Sequence, residues 1–91
     1  MSEIQSQAAA KVAEKVTNMR ANIASAGDDI EAKGEEYARY NLYFQGLLEG
    51  MELVGAEGED LKPVEAALTV INRQLDALEA EAALGDLINQ S

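Results

Sequence analysis

The sequence predicts an all-α chain with coiled-coil-like packing. Apolar residues recur at alternating steps of three and four along most of its 91 residues, which is the period of one helix face. Ala is abundant and Pro occurs once, at Pro63, a composition that favours helix. Gly and acidic residues cluster at two places, near Gly27 and between Gly55 and Asp60, where helices would end. The expected architecture is an antiparallel helical hairpin, about 29–54 and 61–88, preceded by a helical segment at about 2–26. That segment is either continuous with the hairpin or folded back as the third helix of a bundle. The whole chain, 1–91, is a single helical domain.

In the first segment Ile4, Ala8, Val12, Val16, Met19 and Ile23 share one side, and Ser2 suits an N-cap. The stripe is narrow, as in a coiled-coil seam. Gly27 fits the residue just after a helix. Asp28 fits an N-cap, with Glu31 three residues on as in a capping box. Yet Met19, Ile23, Ala26, Ile30, Lys33 and Tyr37 keep the three–four step across Gly27, so a continuous helix is equally open.

The central segment holds the only Phe and all three Tyr. Ile30, Tyr37, Tyr40, Phe44, Leu47 and Met51 fall on one helix face. Gly46 and Gly50, four apart, suggest a thin spot where a bulky side chain fits. A connection at 55–60 follows, with Asp60 as N-cap and Pro63 in the first turn of the last helix. There Leu61, Val64, Leu68, Ile71, Leu75, Leu78 and Ala82 form the most regular heptad run of the chain. A loop of about six residues makes the two helices antiparallel.

The chemistry available is narrow. With no Cys and no His, there is no disulfide framework, no thiol nucleophile and no imidazole base or ligand. No Ser stands beside a base, and no Gly-rich phosphate loop precedes a helix, so the chain is expected not to be an enzyme and to carry no cofactor. The acids Glu57, Glu59 and Asp60 lack the ligand spacing of a calcium loop. Glu31, Glu35 and Glu36 lack the His partners of a bundle di-metal site. They suit the N-terminal region of a helix. Tyr37, Tyr40, Tyr43 and Phe44 lie in acidic surroundings, unlike a nucleic-acid stacking platform. They are expected in the core and interface, with Tyr43 as an exposed contact.

The net charge is -10, unevenly spread. Residues 1–26 carry three bases against two acids, 28–60 two against ten, and 61–91 two against five. Such a surface repels nucleic acid and anionic membranes. No apolar run approaches the roughly 20 residues of a membrane span, and Met1–Ala10 does not resemble a secretory signal. The expectation is a cytoplasmic chain with no direct nucleic-acid or membrane partner.

One stretch resembles something known. Asn41-Leu42-Tyr43-Phe44-Gln45-Gly46 is similar to the recognition sequence of tobacco etch virus protease, which is cut between the Gln and the Gly. The usual engineered site has Glu before the Asn, where this chain has Tyr40. The resemblance covers six residues and implies nothing about the fold. Native coincidence and deliberate substitution into a helix both remain open. A tag remnant fits least, because tags sit at termini.

The sequence points to a non-enzymatic protein–protein interaction or assembly protein. Small acidic hairpins of this kind occur among secretion chaperones, phage accessory proteins and assembly adaptors, an analogy of architecture alone. The chain is expected to self-associate into a dimer or larger bundle, and a basic or helical protein is a second partner class. Residues expected at the interface are Val16, Met19, Ile23, Ile30, Tyr37, Phe44, Leu47, Met51, Leu68, Ile71, Leu75 and Leu78. The alternative is an acidic nucleic-acid mimic that occupies a basic site on a target. Mimicry requires Asp28, Glu31, Glu35, Glu49 and Glu52 in an ordered row on one exposed face.

Overall fold

The computed structural model describes residues 3–90, and the side chains of Ile4 and Gln90 are outside that description. So is Ser2, expected as the first cap. Three helices form: α1 Glu3–Ala26, α2 Ile30–Leu53 and α3 Gly58–Gln90. Each packs against the other two, so α1 folds back antiparallel to α2 and parallel to α3. The continuous helix is not formed. A helix of about fifty residues would be roughly 75 Å long, whereas the molecule measures 55 × 22 × 17 Å.

The first turn is set by Gly27, whose φ of +61° is the left-handed conformation that glycine adopts without a Cβ clash. Its N–H donates to the Ala24 carbonyl at 3.3 Å, closing the end of α1. The cap of α2 is Asp29, not Asp28. The Asp29 carboxylate accepts from the Ala32 N–H at 3.1 Å, and the Lys33 N–H reaches the Asp29 carbonyl at 3.0 Å. Glu31 therefore lies one position short of a capping box and simply places a negative charge in the first turn. The turn needs one residue more than the shortest reading of the sequence allowed, and Asp28 supplies it.

The second turn is a Schellman closure. The Ala56 N–H donates to the Met51 carbonyl at 2.9 Å, and Gly55, with φ +89°, donates to the Glu52 carbonyl at 3.0 Å. Half-buried Ala56 packs with the core that contains Met51. Helix α3 starts at Gly58, earlier than expected, because Asp60 is not its cap. The Glu57 carbonyl accepts from Asp60 and Leu61, and the Asp60 carboxylate reaches back to the Glu57 N–H at 3.2 Å. Asp60 thus serves as the third helical residue that closes the cap from within. Pro63 consequently falls in the second turn rather than the first. It removes one helix bond, to the carbonyl of exposed Glu59.

The core is a thin column. Phe44, Ile71 and Val64 are fully buried, and Ala8, Met19, Met51 and Ala67 nearly so. Val16, Ile23, Tyr37, Leu47, Leu68 and Leu75 pack against them half-buried. Ile30 and Leu78 are half-buried as well. All twelve residues expected at an interface therefore turn inward or partly inward within one protomer. The radius of gyration, 15.7 Å, exceeds the roughly 12 Å of a compact domain this size. The accessible surface of 6074 Å² exceeds the roughly 5,100 Å² typical of the mass.

Gly27→Ala is expected to destabilise the protein by about 1 kcal/mol or somewhat more, since Ala in a left-handed conformation carries that strain. Urea denaturation checks it; equal or greater stability would mean that the turn relaxes into helix.

Candidate functional site

Helix α2 carries two seams that share Tyr37, Phe44 and Met51. One adds Tyr40 and Leu47 and faces α1. The other adds Asn41 and Leu48 and faces α3. The contacts agree with this division. On the first seam Asn22 of α1 donates to the Glu36 carboxylate at 3.3 Å and to the Tyr40 hydroxyl at 3.4 Å. On the second, the Asn41 amide donates to the Asn72 side-chain carbonyl at 2.9 Å. Gln45 in turn donates to the Asn41 side-chain carbonyl.

Asn41 is the one buried polar residue among those described, at 9 % exposure, and sequence reasoning missed it as a core residue. The signal was present, because Asn41 stands four after Tyr37 and three before Phe44. It is visible only if two seams are sought. Tyr43, expected as an exposed contact, is 38 % exposed. Its ring lies 5.1 Å from the Lys15 ammonium and edge-on to Phe44, so it belongs to the α1–α2 boundary.

In the acidic clusters Glu36 and Glu59 pair with neighbouring bases, and Asp60 bonds the Glu57 N–H. No group of three or more potential metal-ligating side chains converges among the described residues. Glu36 pairs with Arg39 at 2.9 Å. Glu59 pairs with Lys62 at 2.8 Å; this hydrogen bond and the Glu59 charge hold the Lys62 ammonium above the usual lysine pKa, against a small effect of burial. The surrounding open hollow of about 670 Å³ is lined by Glu57, Gly58, Glu59, Asp60, Lys62 and Glu65. Gly46 and Gly50 are not a thin spot filled by a neighbour. A Cβ at either would meet open space.

Of the acids named for mimicry, Asp28 lies in the turn before α2, and Glu31, Glu35, Glu49 and Glu52 share an outward face of α2 without forming a continuous row. Along that face come Glu31, Glu35, Ala38, Leu42, Gln45, Glu49 and Glu52, all exposed. Two acidic pairs are separated by uncharged residues over roughly 21 Å of helix.

Large exposed apolar side chains lie at both ends and also midway along the bundle, at Leu42 of α2 and Val70 of α3. Leu84, Leu87 and Ile88 are 59–65 % exposed near the end of α3, and Leu53 and Val54 are 87 % and 74 % exposed at the end of α2. No helix among the described residues is long and apolar enough to cross a membrane.

The stretch 41–46 that resembles a protease recognition sequence lies inside α2. Its Phe44 is fully buried, and its Asn41 and Gln45 are bonded to each other. A protease that reads extended chain is expected to leave the native protein intact. Unfolding by Ile71→Asp, outside the stretch, is expected to permit scission between Gln45 and Gly46, with Tyr40 in place of Glu slowing it. Fragment masses decide; cleavage of the folded parent at the same rate would mean that α2 opens readily. A second expectation concerns Asn72, which is exposed. Asn72→Ala strands the buried Asn41 amide and should lower stability by about 1 kcal/mol. Asn41→Leu should be close to neutral, because its partners are both in water. Denaturation curves of the two variants test this asymmetry.

No protein-family model matches the chain, and neither a curated protein nor a solved structure shows significant similarity to it.

Proposed function

We propose that the chain is a non-enzymatic protein–protein interaction or assembly module that self-associates. One observation carries this reading: exposed Leu84, Leu87 and Ile88 lie on a part of α3 that outreaches both neighbouring helices. Three large aliphatic side chains on one helical turn make an apolar patch of the kind that protein contacts use. The absence of His and Cys from the sequence and the pairing of Glu36, Glu59 and Asp60 leave little for catalysis. The heptad residues pack within the protomer, and the half-buried ones among them, with the exposed aliphatic side chains outside the seams, are the surface open to association.

The second reading, an acidic mimic, has the shared outward face of α2 in its favour and the gap of roughly 21 Å between its acidic pairs against it. Its binding to a basic protein would weaken steeply with salt.

Light scattering across a concentration series separates the two. Self-association predicts a mass rising above 9.7 kDa as concentration rises toward about 1 mM, the weak end of specific binding. A constant 9.7 kDa over that range would remove the assembly reading and favour the mimic.

A further inference from the structure

On a straight helix, residues about 18 apart stand in line, because that spacing makes about five turns. Across the turn at Gly27 this places Met19 in line with Tyr37, and Asn22 with Tyr40. Met19 and Tyr37 belong to the packed core, and Asn22 and Tyr40 face each other across the α1–α2 boundary. The side toward α3 lines up as well. Val16 borders a groove with Ala66 and Ala67 of α3, and Asn41 bonds Asn72 of α3. On a straight helix Val16 and Asn41 would point within about 20° of each other. A single helix running through Gly27 would therefore present both seams of the bundle unbroken over its whole length.

Within one chain, such a helix would leave its α1 half with nothing to pack against. We infer that a second copy supplies the partner. The α1 helix of each chain leaves its own bundle and joins α2 in one long helix. It then takes the place of its counterpart on the α2–α3 hairpin of the other copy. Every contact of α1 is remade between chains, Asn22 with Tyr40 included, and only the hinge at 27–29 changes. Exchange of an identical element is for that reason a low-cost route to a dimer. The hinge gives up the left-handed Gly27 and the Asp29 cap and gains regular helix bonds. At the register of Asn22 on Glu36 and Tyr40, two such helices lie antiparallel about a two-fold axis near Ile30, so the pair closes on itself.

The same axis covers the exposed apolar end of α3. By the Asn41–Asn72 register, Ile30 lies level with roughly residue 83. Leu84 then stands level with the hinge, and Leu87 and Ile88 reach past the axis by roughly 6–8 Å. These three side chains, 59–65 % exposed in one protomer, come beside those of the partner's α3. Apolar contact, not charge, holds the joint. Asp28, Asp29, Glu31 and Asp86 of both copies gather there against Lys33, so salt that screens them strengthens the dimer.

This inference rests on the self-association proposed above and specifies its form. Exchange requires α1 to leave its bundle, so the full chain is refolded from urea at high concentration and its mass read by light scattering. The parent is expected to reach twice 9.7 kDa and stop. Gly27→Ala penalises the left-handed turn and favours the helix, and is expected to strengthen dimerisation by roughly 100-fold or more. Ile30→Pro suits the turn, because Ile30 opens α2 after an extended Asp29 (φ -73°, ψ 100°). It breaks a continuous helix and is expected to weaken dimerisation by roughly 100-fold or more. A cooperative melt at low concentration shows that each variant folds. In a third variant, Asn22→Cys with Glu36→Cys, a short thiol cross-linker is applied to the dimer fraction. It is expected to join two chains, leaving twice 9.7 kDa in denaturant. Chains that never associate overturn both the function and the exchange. Dimers whose cross-links fall within single chains overturn the exchange alone. So does a Gly27→Ala dimer no tighter than the parent's, or an Ile30→Pro dimer no weaker.

Discussion

Helix α2 packs against two partners at once, and the bundle depends on that. A helix in a two-stranded coiled coil needs a single apolar stripe. A helix wedged between two others needs two stripes that share a spine. In α2 the spine is Tyr37, Phe44 and Met51, flanked by Tyr40 and Leu47 toward α1 and by Asn41 and Leu48 toward α3. Phe44 has no exposed surface, and truncating a fully buried Phe to Ala typically costs about 3–5 kcal/mol. Small domains have total stabilities of only about 5–15 kcal/mol, so this one residue accounts for a large part of whatever margin exists. The column around it is one side chain thick, with Ile71 and Val64 its other fully buried members. Nothing behind them can take up the loss.

Asn41 shows how such a column is kept in register. An aliphatic seam of Leu and Val tolerates sliding by a heptad, because each position meets a similar neighbour. A buried amide does not, since it must find a partner. Asn41 finds Asn72, and Gln45 satisfies its carbonyl. Slipping α3 by a heptad would put Glu65 or Glu79 where Asn72 stands. A carboxylate there could still accept from Asn41, but it would bring a charge to the edge of the core. Asn22, Glu36 and Tyr40 form a comparable polar contact between α1 and α2, but at the surface, where water competes and the discrimination is weaker. Register is therefore fixed more firmly between α2 and α3 than between α1 and α2.

The helical class, the two turns and the heptad spine were legible in the sequence because they rest on periodicity and glycine, which act locally. The choice between a continuous helix and a fold-back was not. It turns on Gly27, which is tolerated in a helix and preferred in a turn, so both outcomes satisfy local rules. Packing of α1 on α2 and α3 decides it. The caps were misread by a residue or more for a related reason. Asp28 and Asp29 have equal capping chemistry, and only the path of the chain around Gly27 selects the second. Asp60 can cap from outside the helix or close from within, and the turn at Gly55 selects the latter, which moves Pro63 one turn deeper. Asn41 was hidden because a single-stripe search treats polar residues as surface.

The shape and the charge constrain how copies of this molecule can meet. Each carries a net charge of -10 on a rod 55 Å long. At physiological salt the screening length is about 8 Å, so only charges near a contact matter. Two rods laid side by side would bring the acidic outward positions of α2, Glu31 and Glu35 at one end and Glu49 and Glu52 at the other, near a neighbour along the whole length. Two rods joined at their ends confine the contact to a cross-section of 22 × 17 Å, yet they bring those terminal acids of α2 close to the joint. Either arrangement therefore needs the apolar gain of exposed side chains to offset repulsion between acids.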